Sequence, residues 1–242
     1  MNRILSVCFL GIALVVGCGV LLVRQSEPAV QAAGQANPPL QKGVSVEMAT
    51  TTSAGLLPEA DNTDAWVVTI TDKGELFFAA DPVTPETLVE KMKQTPRRRD
   101  AELYIKADDR APLASVEPVL AAAHEDFFKR AFLLTATPAG TAPGKMMPPA
   151  GLPLSLEPAP NAAVVLQISD EHGLPKVQMN GEEIPLKELQ RKLEGVLGSQ
   201  TEMTNRVVAL KADGQVPFAH VIHVVDVCHM ANARAWVAEF GL

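Results

Sequence analysis

The chain has 242 residues, a formal net charge of −7 and a sequence pI near 5.3. An acidic chain of this kind argues against a nucleic-acid partner, which would require a basic surface. Two of the three cysteines lie in an apolar N-terminal run, so the remaining one, Cys228, has no partner for an intrachain disulfide in the rest of the chain.

The N-terminal apolar run, Ile4–Val23, contains 20 uncharged residues between Arg3 and Arg24. At helical rise it spans about 30 Å, the thickness of a bilayer core. Cleaved signal peptides have a shorter apolar region of about 7–15 residues. We therefore predict an uncleaved single-span anchor over residues 4–23, with the short tail before Ile4 inside and the bulk of the chain outside.

Two other interpretations of this run stay open. Residues 15–18 resemble a lipoprotein cleavage box with Cys18 as the lipidated residue, although residues 19–23 continue apolar. Cleavage near Ala32 or Ala33, where small residues cluster, is the other. All three interpretations place the bulk of the chain across a membrane.

Two segments have the composition of connectors. Residues 24–64 are rich in Ala, Gly, Gln, Pro, Thr and Ser and predict a flexible tether. Seven prolines fall between Ala136 and Asn161, which predicts a semi-rigid Pro-rich linker over residues 138–161.

The segments on either side of this linker predict the same order of elements: strand, strand, helix, strand, helix, strand. Residues 65–137 give Trp66–Ile70, Glu75–Ala79, Pro85–Lys93 with Thr84 as N-cap, Leu103–Lys106, a helix from Pro112 to about Lys129, and Ala131–Thr135. Residues 162–242 give Val164–Ile168, Lys176–Met179, Pro185–Leu197, Arg206–Leu210, Phe218–Met230 and Ala233–Phe240. In the helix Pro185–Leu197, the spacing of Leu186, Leu189, Leu193, Val196 and Leu197 predicts one buried face.

The two segments are also similar residue by residue. Lys106–Ala107–Asp108 and Pro112 reappear as Lys211–Ala212–Asp213 and Pro217, 105 residues further along. A repeat of this length predicts two small tandem domains of one α+β fold, each a short sheet with two helices. It also raises the hypothesis that the two domains pair with each other within one chain.

Each copy resembles the extracytoplasmic domain of the ExbD/TolR family of biopolymer transport proteins. A strand, a Lys-Ala-Asp turn, a proline and an apolar helix carry the resemblance, in residues 103–120 and 207–226. The resemblance implies a single-span component of an energy-transducing transport complex in the bacterial inner membrane. It also implies a multi-span ExbB/TolQ-like partner, a mainly periplasmic chain and possible dimerisation.

A second hypothesis is a passive module with the same fold, without proton coupling, that binds an envelope protein or the cell wall. Members of the family carry an aspartate within the membrane span. Ile4–Val23 contains no carboxylate, and a carboxylate in a membrane is kept for function because it is expensive there. Its absence therefore favours the passive module as regards mechanism.

The remaining candidate residues are interpreted structurally. Asp108 and Asp213 are predicted to accept backbone hydrogen bonds in turns, Pro118 to kink or delay its helix, and Arg97–Arg99 to lie in a solvated loop. Glu86, Glu90, Glu182 and Glu183 are expected to be solvated charges. With no nucleophile elbow, phosphate loop or paired-carboxylate motif in the sequence, we predict no enzyme activity, no catalytic residue and no cofactor.

A cluster in the last predicted helix has residue types that bind metals: His220, His223, Asp226, Cys228 and His229. The corresponding residues of the first copy are Ser115, Pro118, Ala121, Ala123 and His124. Because only His229 has a histidine counterpart, we predict no metal site here and expect Cys228 to be a small buried apolar residue.

Overall fold

The computed structural model describes residues 44–96, 101–126, 128–136, 148–159, 161–200 and 206–237. They form a mixed α+β fold with one large sheet and four α-helices. Within these ranges no helix combines the length and the hydropathy that a membrane span requires. The predicted anchor, Ile4–Val23, lies outside the described residues.

The first half of the fold has the predicted order of elements with three additions. A short strand and a 3-10 helix lie within the predicted tether, which corrects the expectation of a flexible segment there, and another short strand precedes the first α-helix. Its elements are β1 (Gly55–Leu56), a 3-10 helix (Pro58–Asp61), β2 (Trp66–Ile70), β3 (Leu76–Phe78), β4 (Asp81–Val83), α1 (Pro85–Gln94), β5 (Leu103–Ala107), α2 (Leu113–Glu125) and β6 (Arg130–Thr135).

The second half repeats this order after an extra strand that lies within the predicted linker. Its elements are β7 (Ala150–Ser155), β8 (Val164–Glu171), β9 (Leu174–Met179), β10 (Glu182–Ile184), α3 (Leu186–Leu197), β11 (Val207–Ala212), α4 (Phe218–Met230) and β12 (Arg234–Val237).

One sheet runs through both halves, in the order β10-β9-β8-β11-β12-β7-β6-β5-β2-β3-β4. Strand β7 stands at its centre. It pairs antiparallel with the whole of β6 and meets β12 in parallel at Ser155 and Trp236. The strands on either side of β7 follow the same order outward, so the two halves are arranged as the members of a pair.

The central position of β7 corrects the prediction of a semi-rigid spacer for this part of the linker. Ala150, Leu152 and Leu154 alternate along the strand and are buried, and the two leucines belong to the main core. This is the period of a strand with one face inside. Gly151 and Pro153 lie between them, and both residue types are uncommon in strand interiors.

The four helices pack on one face of this sheet, and a single apolar core runs beneath them through both halves. A smaller cluster lies on the opposite face of the first half, where the 3-10 helix covers β5 and β6. Its buried members are Ala60, Tyr104, Phe132 and Leu134, with Met48, Leu57, Ala65 and Val67 packed against them.

The first turns of the helices match most of the predictions. Thr84 and Thr87 form a capping box at the start of α1, with Pro85 in the first turn. Helices α2 and α4 begin one residue after Pro112 and Pro217, which are N-cap residues here. They are equally long and begin at equivalent positions, so Pro118 does not delay α2. A kink at Pro118, the other predicted effect, stays a prediction.

Two further details of the helices differ from the sequence prediction. Helix α2 ends at Glu125, before Lys129. In α3, Leu189, Leu193 and Leu197 are buried as predicted, but Val196 is exposed. Val196 directly precedes Leu197, and neighbouring residues of a helix point about 100° apart.

Candidate functional site at the junction of the two halves

The first turns of α2 and α4 meet and exchange backbone hydrogen bonds. The Leu113 N–H donates to the Val216 carbonyl at 3.0 Å, and the Phe218 N–H donates to the Ala111 carbonyl at 2.8 Å. Leu113 and Phe218 are equivalent residues of the repeat, as are Ala111 and Val216. The contact is therefore reciprocal, like that across a two-fold axis.

A second reciprocal pair of bonds lies beside the first. The Ala114 N–H donates to the Gly214 carbonyl at 2.8 Å, and the Ala219 N–H donates to the Asp109 carbonyl at 2.9 Å. Position 214 is also close-packed, because a Cβ atom on Gly214 would lie 3.1 Å from the Ala114 Cβ atom.

These bonds explain why the two helices begin without a capping side chain. The first N–H groups of a helix have no acceptor within it and usually receive one from a Ser, Thr, Asp or Asn side chain. Here Pro112 and Pro217 occupy the N-cap positions and supply none. Each helix instead receives carbonyl acceptors from the other half.

The two aspartates of the repeated turn share one role and differ in another. Asp108 accepts from the Arg110 N–H at 3.2 Å, and Asp213 accepts from the Gln215 N–H at 3.4 Å, which confirms the predicted turn contacts. Asp213 is exposed, whereas Asp108 is buried and bound by the Arg110 guanidinium, with Nε 2.9 Å from Oδ1. The hydrogen bonds from Arg110 lower the pKa of the Asp108 carboxyl.

The segment 47–53, which enters the fold from the N-terminal side, is held by carboxylates from both halves. The Glu47 N–H donates to Asp108 Oδ2 at 3.1 Å. The N–H groups of Thr52 and Ser53 donate to Asp226 at 2.8 and 2.9 Å. Asp226 lies on α4, so this segment bridges the two halves.

The contact around Asp226 brings together serine, histidine and aspartate in an arrangement that does not activate a nucleophile. The Ser53 hydroxyl donates to Asp226 Oδ1, and its oxygen lies 3.0 Å from His229 Nδ1. In a hydrolase triad the carboxylate orients the histidine, which then removes the serine proton. Here the carboxylate binds the serine directly, so the three groups fix the backbone at Ser53.

The metal-like cluster of α4 is distributed over separate environments. Asp226 and His229 contact Ser53, while His220 faces Asp170. Cys228 is fully buried in the core as predicted, and burial raises the pKa of its thiol to about 12. In the part of the chain that the structure describes, no three His, Cys, Asp or Glu side chains are grouped so as to hold a metal ion.

In the part of the chain that the structure describes, two buried polar atoms near the junction have no hydrogen bond: His220 Nδ1 and Asp109 Oδ1. His220 Nδ1 lies 3.5 Å from Asp170 Oδ1, close enough to form an ion pair when the imidazole is protonated. Burial, with Asp108 and Glu47 nearby, raises the pKa of Asp109. Burial, with His220 nearby, lowers the pKa of His223.

The remaining candidate side chains have surface roles or lie elsewhere. Glu182 and Glu183 are exposed, with Lys192 and Lys176 as their respective ion-pair partners. Glu86 is exposed at the start of α1, where a hydrogen bond from Thr84 lowers its pKa. Glu90 contacts Gln94 one turn along the same helix. Arg97–Arg99 and Cys18 fall outside the described residues.

Comparison with known proteins gives one family match. Residues 131–237 match the family model described as Biopolymer transport protein ExbD/TolR. The match begins in β6 and extends through β7 and the second half to the end of β12. It supports the resemblance to that family for this part of the chain. No curated protein and no solved structure shows a significant match.

Sequence reasoning identified the repeated turn but not the contacts of Asp226 with the N-terminal segment. Thr52 and Ser53 lie in the predicted tether, and Asp226 follows them by 174 and 173 residues respectively. A carboxylate on the apolar helix α4 was the available signal, because such a group requires partners when it is buried. The sequence contains nothing that identifies those partners.

Proposed function

We propose that this chain is a component of an ExbD/TolR-like energy-transducing complex of the bacterial inner membrane. Residues 4–23 would anchor it as a single span beside a multi-span ExbB/TolQ-like partner. The rest of the chain would lie in the periplasm and act through protein contacts, without enzyme activity or a cofactor.

The observation that carries this proposal is the match of residues 131–237 to the ExbD/TolR model. Its description names biopolymer transport and no enzymatic activity. The arrangement of Ser53, His229 and Asp226 agrees with a role in contacts, because all three groups serve to hold a backbone segment.

Within this proposal, residues 65–137 and 162–242 are two ExbD-like domains that pair inside one chain. The reciprocal bonds at Leu113 and Phe218 support the pairing. Residues 24–64 would be the tether up to the point where residues 47–61 pack onto the fold, and residues 138–161 would be the linker that contributes the central strand β7. One such chain would then supply what two single-domain chains supply by dimerising.

A second function is favoured by the composition of the proposed span. Ile4–Val23 contains no carboxylate that could take part in proton passage. The alternative is a passive module, lipidated at Cys18 or anchored, that binds an envelope protein or the cell wall without proton coupling.

The two functions differ in what accompanies the protein when it is purified from its native membrane in mild detergent. We expect a multi-span ExbB/TolQ-like protein to co-purify with a chain whose N-terminal peptide is intact by mass spectrometry. The matched control replaces residues 4–23 with an unrelated apolar span and should lose that partner. A lipidated Cys18 or a cleaved N-terminus, with no multi-span partner, would instead establish the passive module.

A further inference from the structure

The two halves differ at the end of the sheet where β5 and β11 lead into the repeated Lys-Ala-Asp turns. In the first half this end is covered by the chain itself. The Glu47 N–H donates to Asp108 Oδ2 at 3.1 Å, and the Glu47 carbonyl accepts from the Asp109 N–H at 2.7 Å. Thr69 on the adjacent strand β2 is only 1% exposed.

At the equivalent place the second half has an open cavity of about 390 Å³. Gln167 and Gln178 line it at the positions that Thr69 and Phe77 occupy in the first half. Asp213 and Lys211, the counterparts of Asp108 and Lys106, also line it. Gln167 and Asp213 are exposed.

We infer that this cavity binds an extended polypeptide segment of a partner protein, held as Glu47 is held in the first half. A backbone N–H of the segment would donate to the Asp213 carboxylate. The carbonyl of the same residue would accept from the Gly214 N–H, which stands where Asp109 stands in the first half. The Gln167 and Gln178 amides add donors and acceptors suited to peptide groups.

The first half also indicates which side chain should follow the bound residue. Met48 packs against the outer apolar cluster, where Val67 and Phe132 lie. The second half has Val165 and Trp236 at those positions, both partly exposed. An apolar residue next to the bound one would cover them, as in other cases of recognition of an extended chain.

The segment 47–53 of a second copy is a poor occupant, because each copy already uses this segment. Its residues are held by Asp108, by Asp226 and by a hydrogen bond between Thr51 and Thr135. A separate protein does not have to break these contacts. The cavity is formed by the second half alone, so binding there can be measured without the membrane complex proposed above.

The test uses the full-length chain in detergent and a fluorescein-labelled peptide with the sequence of residues 44–51, followed by fluorescence anisotropy. One variant addresses the cavity: Asp213→Ala removes the acceptor. Asp81→Ala, on the exposed edge strand β4, is the control substitution. A second peptide carries an N-methyl group on the glutamate amide.

We expect saturable binding to the wild-type chain and to Asp81→Ala. Loss of one hydrogen bond to a charged group should weaken binding about tenfold or more, both for Asp213→Ala and for the N-methylated peptide. Equal binding to Asp213→Ala would mean that the peptide is held elsewhere, as by displacing residues 47–51 in the first half, which would overturn the inference. Failure of the wild-type chain to bind at millimolar peptide would overturn it as well.

Discussion

The two halves of this chain share their fold and differ in what covers it. Both present a Lys-Ala-Asp turn, an N-cap proline and a helix whose first N–H groups bond to the other half. The first half closes its end of the sheet with Glu47, whereas the second leaves Asp213 exposed beside a cavity. The shared features maintain the pair, and the differences indicate where the pair can contact other molecules.

The largest effect is expected where the second half holds the N-terminal segment. Asp226→Ala leaves the Thr52 and Ser53 N–H groups without their acceptor, and the first half has Ala121 at this position. We expect a loss of about 3 kcal/mol in the free energy of unfolding, measured by urea denaturation.

The control for this substitution is an aspartate without buried contacts. Asp213→Ala removes an exposed side chain and one weak turn bond. It should change stability by less than about 0.5 kcal/mol. Equal losses in the two variants would contradict the role assigned to Asp226.

The strand that joins the halves should be nearly as sensitive. A Cβ atom at Gly151 in β7 would lie 2.7 Å from both the Leu133 carbonyl oxygen and the Leu57 Cδ1 atom. Gly151→Ala is expected to cost about 2–3 kcal/mol of unfolding free energy through overpacking. Gly55, its partner across β1 and β7, has open space around its Cβ position, so Gly55→Ala is the matched variant and should be much less affected.

A smaller, pH-dependent difference is expected from His223, whose counterpart Pro118 does not titrate. Burial lowers the pKa of His223 in the folded chain. As the pH falls, the unfolded chain therefore binds a proton at this imidazole before the folded chain does, at a pH of about 6.5. Stability contributed by the neutral imidazole is present above this pH and lost as the pH falls below it. Denaturation at about pH 7.5 and about pH 5.5 should show a larger loss for the wild type than for His223→Gln. Identical losses would contradict a half-buried His223 that is neutral in the folded chain.

The smallest effect is expected at Cys228, whose counterpart is Ala123. Both side chains are fully buried, and Cys228→Ala should change the unfolding free energy by about 1 kcal/mol or less. Because burial raises the thiol pKa to about 12, iodoacetamide near neutral pH should leave Cys228 unmodified in the folded chain and modify it in urea. Mass spectrometry of the Cys228 peptide checks this, and rapid modification without urea would contradict its burial.

The repeat and the apolar periodicity predicted most helices and strands, because these depend on local patterns. Strand β7 was missed although Ala150, Leu152 and Leu154 alternate, since Gly151, Pro153 and the neighbouring prolines indicate a linker. Short strands β4 and β10 carry too few residues for a pattern.

The contacts of the candidate site could not be predicted in the same way. That Asp226 holds Thr52 depends on the packing of distant segments, and no local pattern encodes such a pairing. The repeated turns were evident, and the repeat suggested that the domains pair. The contact between Leu113 and Val216 depends on how one sheet brings the two halves together, which no local pattern encodes.

The measurement that tests the pairing of the halves most directly is amide hydrogen exchange of the full-length chain. The four amides of Leu113, Ala114, Phe218 and Ala219 donate across the junction. If the halves form one unit, these amides exchange as slowly as those of β5 and β11, the middle strands of each half. All of them then lose their protection together, in global unfolding. Fast exchange at the four junction amides, with both sheet segments still protected, would show that the halves are independent and would contradict the pairing.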